Sequence, residues 1–129
     1  MGFETKRIGS APDAIAPDGS EVRVLCQVPR GGLAVFSLPP NAVSKAVAHR
    51  TVEEVWYILS GSGRMWRKLD GYEEIVELSP GISLTIPTGT HFQFRCNGDE
   101  RLEVVGVTMP PWPGESEAYF VDGTWQPTL

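Results

Sequence analysis

Apolar positions in this chain recur every second residue, in short runs separated by turn-forming residues. Glu54 to Leu59 is the clearest run: Val55, Trp56, Tyr57 and Ile58 are β-branched or aromatic, and Gly61 and Gly63 punctuate its end. A period of two places Glu54, Trp56 and Ile58 on one face and Val55, Tyr57 and Leu59 on the other. A carboxylate therefore shares a face with bulky apolar groups. In such a place Glu54 must meet a cation, take up a proton or sit at a solvated rim. Glu53 points the opposite way and reads as a solvated neighbour.

The same alternation predicts the other strands. Glu21 to Gln27 sets Val22, Val24 and Cys26 against Glu21, Arg23, Leu25 and Gln27, and Gly32 to Leu38 follows, closed by Pro39-Pro40-Asn41. Arg64 to Leu69 and Glu73 to Leu78 read as a hairpin joined at Asp70-Gly71. Ile82 to Ile86 directs Ile82, Leu84 and Ile86 to the core. His91 to Cys96 puts His91, Gln93 and Arg95 on one face and Phe92 and Phe94 on the other. Arg101 to Met109 is the last long strand. A Pro-rich strap carrying Trp112 then leads to a short segment around Ala118 to Val121.

Residues 1–20 show little periodicity and read as an extended arm over the barrel or a neighbouring subunit. Strands recur about every ten residues with turn signals between them, and no amphipathic segment has helical length. That pattern predicts an all-β sandwich or barrel. At 129 residues the chain reads as a single domain, 1–129, able to bury a core without disulfides.

Composition narrows the function. A net charge of −5, with Lys and Arg scattered, argues against nucleic acid as a partner. No apolar run approaches the length of a membrane span and no signal-peptide pattern is visible, which points to no membrane partner and a cytoplasmic location. Cys26 and Cys96 lack Cys-x-x-Cys spacing and read as free thiols. Phosphate loops and dinucleotide fingerprints are absent, so no nucleotide cofactor is expected. Ser60 and Ser62 lack a nucleophile-elbow setting.

Two stretches resemble the motifs of the cupin family. The first runs from Val47 to Gly63: His49 falls on the second histidine of the family's His-x-His pair, Val47 on the first, Glu54 on the glutamate and Gly61 on the closing glycine. The second is Gly81-Ile-Ser-Leu-Thr-Ile-Pro87-Thr-Gly89-Thr-His91, similar to the family's glycine, Pro-x-Gly and histidine, with one residue rather than two between Gly89 and His91. The resemblance implies a double-stranded β-helix, the cupin jelly-roll barrel. It implies a two-His, one-carboxylate set of His49, Glu54 and His91 holding a divalent transition metal such as Fe, Mn, Ni or Zn. Trp56, Gln93, Arg95 and Val47 would line the pocket for a small organic ligand or substrate. Similar cupins carry out dioxygenase, isomerase or lyase chemistry. Val47 in place of a histidine keeps a second possibility open, a metal-free, non-catalytic binding module on the same barrel.

What neutralises Glu54 separates the two. A bound cation favours the enzyme, and a proton or an arginine, with Arg95 the candidate, favours the module. A homodimer is expected, because exposed sheet edges need covering and the arm and the Trp112 strap are natural covers.

Overall fold

The structure is a computed structural model that describes residues 2–129. In chain order the strands are β1 (Ala14–Ile15), β2 (Glu21–Val28), β3 (Gly31–Leu38), β4 (Val47–His49), β5 (Glu53–Ser60), β6 (Gly63–Leu69), β7 (Tyr72–Leu78), β8 (Ser83–Ile86), β9 (His91–Cys96), β10 (Leu102–Met109) and β11 (Ala118–Phe120). One 3-10 turn, Glu115–Glu117, precedes β11. Six strands form one antiparallel sheet in the order β1-β2-β3-β10-β5-β8, and five form the second in the order β11-β4-β9-β6-β7. The inward faces of the two sheets close on each other as a jelly-roll barrel.

The strands form where the alternation places them, and turn chemistry joins them. Asp70 and Gly71 both hold positive φ, 52° and 80°, as the tight β6–β7 hairpin demands. Two short strands, β1 and β4, are additions to the expected set, and β11 forms in the short segment expected around Ala118 to Val121. Two or three residues are too few for a period of two to be visible, and β4 gains its hydrogen bonds from β9 and β11, both distant in sequence. Ile82 departs from the expected alternation: β8 begins at Ser83, and Ile82 lies in the preceding turn, partly exposed.

Trp56 sits at the centre of the core. Its ring stacks on Phe36 at 5.7 Å and meets Phe94 edge-on at 5.0 Å and Phe92 at 6.1 Å. Gly106 pairs with Trp56 across β10 and β5, and its missing side chain makes room for this cluster: a Cβ there would lie 2.8 Å from Phe36 and 3.0 Å from Trp56. On the outward face of the same sheet Val55, Tyr57 and Leu59 are about half exposed. The register sets Val107 between Val55 and Leu33, so a row of apolar side chains crosses three strands in contact with solvent.

Residues of the N-terminal arm run along β2 of their own chain. Asp13 accepts a hydrogen bond from the Val24 N–H at 2.7 Å, Glu4 accepts one from the Gln27 N–H at 3.0 Å, and the Arg23 guanidinium donates to the carbonyls of Gly9 and Ser10. The arm then turns inward at Ala16 to Asp18. Cys26 and Cys96 are unpaired, the second buried.

Candidate functional site

His49 and Glu54 meet inside the barrel. His49 is the last residue of β4 and Glu54 the second of β5, and both side chains are more than nine-tenths buried. The His49 Nε2–H donates to Glu54 Oε2 at 2.8 Å, and the Trp56 indole N–H donates to Glu54 Oε1 at 2.9 Å. Both carboxylate oxygens are thus satisfied by side chains, one from each sheet: His49 on β4 and Trp56 on β5. The imidazole also stacks on Phe92, with centroids 5.7 Å apart.

Two further acids complete the cluster. Glu117, at the end of the 3-10 turn, accepts hydrogen bonds from the Thr51 N–H at 2.6 Å, the Val52 N–H at 2.9 Å and the Thr51 hydroxyl at 2.7 Å. It therefore fixes the loop from which His49 and Glu54 diverge. Its Oε2 lies 3.6 Å from His49 Nδ1, too far for a hydrogen bond, and that nitrogen is buried without a partner. Asp18 arrives from the arm and is buried. Both hydrogen bonds it accepts, from the Ser20 N–H and hydroxyl, fall on Oδ1.

The electrostatics follow from this crowding. Burial by itself would lower the pKa of His49, but the hydrogen bond to Glu54 and the charges of Glu54, Glu117 and Asp18 outweigh it and raise the pKa above its ordinary 6.5. Burial raises the Asp18 carboxyl, against the opposing bonds from Ser20. For Glu117 the burial penalty is exceeded by the bonds from Thr51 and Val52 and by the charge of His49, so its carboxyl is held below the usual range.

A cavity of about 20 Å³ adjoins the cluster, lined by Asp18, His49 and Glu54 on its polar side and by Phe36, Trp56, Phe92 and Trp112 on its apolar side. It has room for about one water molecule. Val47 also lines it, and Ala16, Pro17 and Trp112 close its outer end. Asp18 and Glu117 were not legible in the sequence. Asp18-Gly-Ser reads as an ordinary turn, and Glu117 follows a Pro-rich stretch with no periodicity.

The structure separates the other expected site residues from this cavity. Phe92, Phe94 and Cys96 of β9 enter the core, so His91, Gln93 and Arg95 face the other way. His91 pairs with Lys68 on β6 and lines a surface depression with Leu69, Asp70 and Gly89. The expectation that His49 and His91 share one pocket is corrected on this ground. Gln93 is fully buried under the C-terminal tail. Its amide donates to the carbonyls of Ser44 and Trp125 and accepts from the Thr124 and Trp125 N–H groups, all at 2.8–2.9 Å. Arg95 lies over the Trp125 ring at 5.4 Å and donates to Asn97, so it is not the partner of Glu54.

The family model described as Cupin domain matches residues 34–108. The chain belongs to the cupin family. No curated protein matches it in sequence. Among solved structures it is similar to an uncharacterised conserved protein with a double-stranded β-helix domain from Klebsiella pneumoniae, with a TM-score of 0.65 and 15% identity over 81% of this chain and 85% of the other. It is also similar to the capsular polysaccharide assembling protein CapF from Staphylococcus aureus, at TM-score 0.66 and 22% identity over 81% of this chain and 32% of that one. Oxalate decarboxylase from Bacillus subtilis matches at TM-score 0.67 and 18% identity over 83% of this chain and 29% of that one. The cupin chain here thus spans about a third of CapF and of the decarboxylase. At these identities the likeness establishes the shared double-stranded β-helix fold.

That decarboxylase has Mn(II) centres, and a metal in this cupin would need a comparable donor set. The residues present do not supply one. Val47 offers no donor, His91 faces outward, and both oxygens of Glu54 are already engaged. Among the described residues no group of three or more His, Cys, Asp or Glu side chains is arranged to hold an ion.

Proposed function

We propose that this cupin is a metal-free module that binds a small organic molecule in its barrel without transforming it. The observation that carries this reading is the internal pairing of Glu54: His49 and Trp56 satisfy the carboxylate that a metal would otherwise neutralise. The cavity beside the pair is far smaller than a usual small-molecule site, but its lining is of that kind, mainly apolar and aromatic walls with a few convergent polar groups. A CapF structure was solved with the inhibitor 3-isopropenyl-tropolone, so a protein that shares this fold over about a third of its length takes a small organic molecule. For a metalloenzyme built on His49, Glu54 and His91, His91 would have to exchange faces with Phe92, which a strand allows only by slipping one residue in register.

Metal content decides between the two. Protein purified without chelator should carry well under one equivalent of any transition metal, and its melting temperature should not respond to chelator. One equivalent of bound metal, with a chelator-induced fall in melting temperature, would overturn the proposal. The outward row of Leu33, Val55, Tyr57, Leu59 and Val107 supports a further proposal, that the barrel pairs with a second copy across this sheet face. Light scattering should return the mass of two chains, and Tyr57→Lys with Val107→Glu should reduce it to one. A single-chain mass for the unaltered protein at high concentration would refute the pairing.

A further inference from the structure

The cavity beside His49 has acids on its polar side and no lysine or arginine among the residues that line it. With Asp18, Glu54 and Glu117 ionised and His49 protonated, the cluster carries an excess of two negative charges. Glu54 is matched by His49 and Trp56, and Glu117 by the backbone and hydroxyl of the loop it holds. Asp18 is the acid left over. Its two hydrogen bonds come from neutral groups of one neighbour and fall on one oxygen, while its burial pushes the carboxyl toward the protonated form. Buried charges in folded proteins are normally paired.

A second observation points in the same direction. His49 lines the cavity, is 7% exposed, and keeps Nδ1 without a hydrogen-bond partner; above its raised pKa the imidazole, whose Nε2–H is held by Glu54, presents that nitrogen as an unpaired acceptor open to a ligand N–H. The remaining walls are aromatic. Trp56, Trp112, Phe36 and Phe92 surround the space, and π-systems attract cations at desolvated sites.

Resting on the ligand-binding reading above, we propose that the ligand of this barrel is a small organic cation whose ammonium group pairs with Asp18 among these aromatic rings. The present cavity admits only the head group, and the outer end is formed by Ala16, Pro17 and Trp112, which belong to the arm and the Pro-rich strap rather than to the long strands. The alkyl or aryl tail of the ligand leaves between them. Carboxylate ligands are disfavoured by the charge of Asp18 and Glu54, and neutral ligands gain nothing from it.

The test is a set of three probes of one shape: n-propylammonium, n-propanol and propionate, titrated into the whole chain and followed by the indole N–H signals of Trp56 and Trp112 in heteronuclear NMR. Propylammonium should shift both signals in a saturable manner and bind at least tenfold more tightly than propanol, with propionate without effect. Asp18→Asn keeps an acceptor for Ser20, and it should weaken propylammonium at least tenfold while leaving the weak binding of propanol unchanged. If propanol or propionate binds as well as propylammonium, or if Asp18→Asn binds propylammonium unchanged, the cation proposal is wrong and the ligand-binding reading stands. If neither these probes nor a broad set of neutral and charged fragments moves the two indole signals, the binding reading fails together with it.

Discussion

Replacing Glu54 by glutamine tests the central pair of the barrel most directly. In the native chain each carboxylate oxygen accepts one hydrogen bond, from His49 Nε2 at 2.8 Å and from Trp56 Nε1 at 2.9 Å. Glutamine supplies one acceptor and one donor, so one of the two bonds must be lost or His49 must change tautomer. The native pKa of His49 lies above its ordinary 6.5, which means the pair contributes its full stability below pH 6.5 and loses it as the pH rises through the raised value. In Glu54→Gln the cationic imidazole has no matched charge within hydrogen-bond distance, because Glu117 is 3.6 Å from Nδ1. At pH 5.5 the variant either buries that charge or deprotonates it, which costs about 1.4 kcal/mol for one pH unit. Loss of the charge-assisted bond adds about 1.5–3 kcal/mol. The expected destabilisation at pH 5.5 is therefore about 3–4 kcal/mol, inside the range for breaking a buried pair. In alkaline buffer, with His49 neutral in both proteins, the difference should shrink to about 1 kcal/mol.

Urea unfolding of both proteins at a series of pH values measures this difference. Asp18, whose raised carboxyl makes stability fall as the pH rises from 3.8, and Glu117, whose lowered carboxyl contributes above 4.5 and is lost in acid, are present in both chains, so their burial and hydrogen-bond contributions cancel and only their charge coupling to Glu54 and His49 stays with the pair. A difference that does not change with pH, or one below about 1 kcal/mol at pH 5.5, would refute the pairing of a protonated His49 with Glu54.

Three other substitutions probe the geometry around the site. His91→Ala should change stability by no more than about 0.5 kcal/mol in urea unfolding, and a large loss of stability or of bound metal would return His91 to the site. Gln93→Leu removes the amide that holds Thr124 and Trp125, so it should cost about 2–4 kcal/mol and speed hydrogen exchange at those two amides; unchanged exchange would show that the tail is held by other contacts. Gly106→Ala forces a methyl group against Phe36 and Trp56 and should cost about 1–3 kcal/mol with a changed Trp56 indole signal, whereas a silent substitution would mean the cluster is looser than its distances imply.

Much of the fold is written in the sequence. Alternation of apolar and polar residues, Asp70-Gly71 and the glycines after β5 fix most strands and turns, because those signals are local: a period of two and a positive φ depend on a residue and its immediate neighbours. The same locality places Glu54 on the face of Trp56 and Ile58 and groups His91 with Gln93 and Arg95. What alternation does not supply is the burial of both faces at once. Phe92 and Phe94 claim the inside of β9, yet Gln93 on the outside is fully buried as well, because the C-terminal tail returns to cover it from 31 residues further along the chain. His91 follows Gly89 one residue sooner than the family pattern has it, and that one residue of phase directs it away from the cavity and turns Phe92 inward. The partner of Glu54 was equally a tertiary decision: His49 and Glu54 are joined by a loop that Glu117 grips across 66 residues, and Asp18 enters from the arm. Contacts of that range are set by the closure of the two sheets, and no local pattern of hydrophobic and polar residues encodes them.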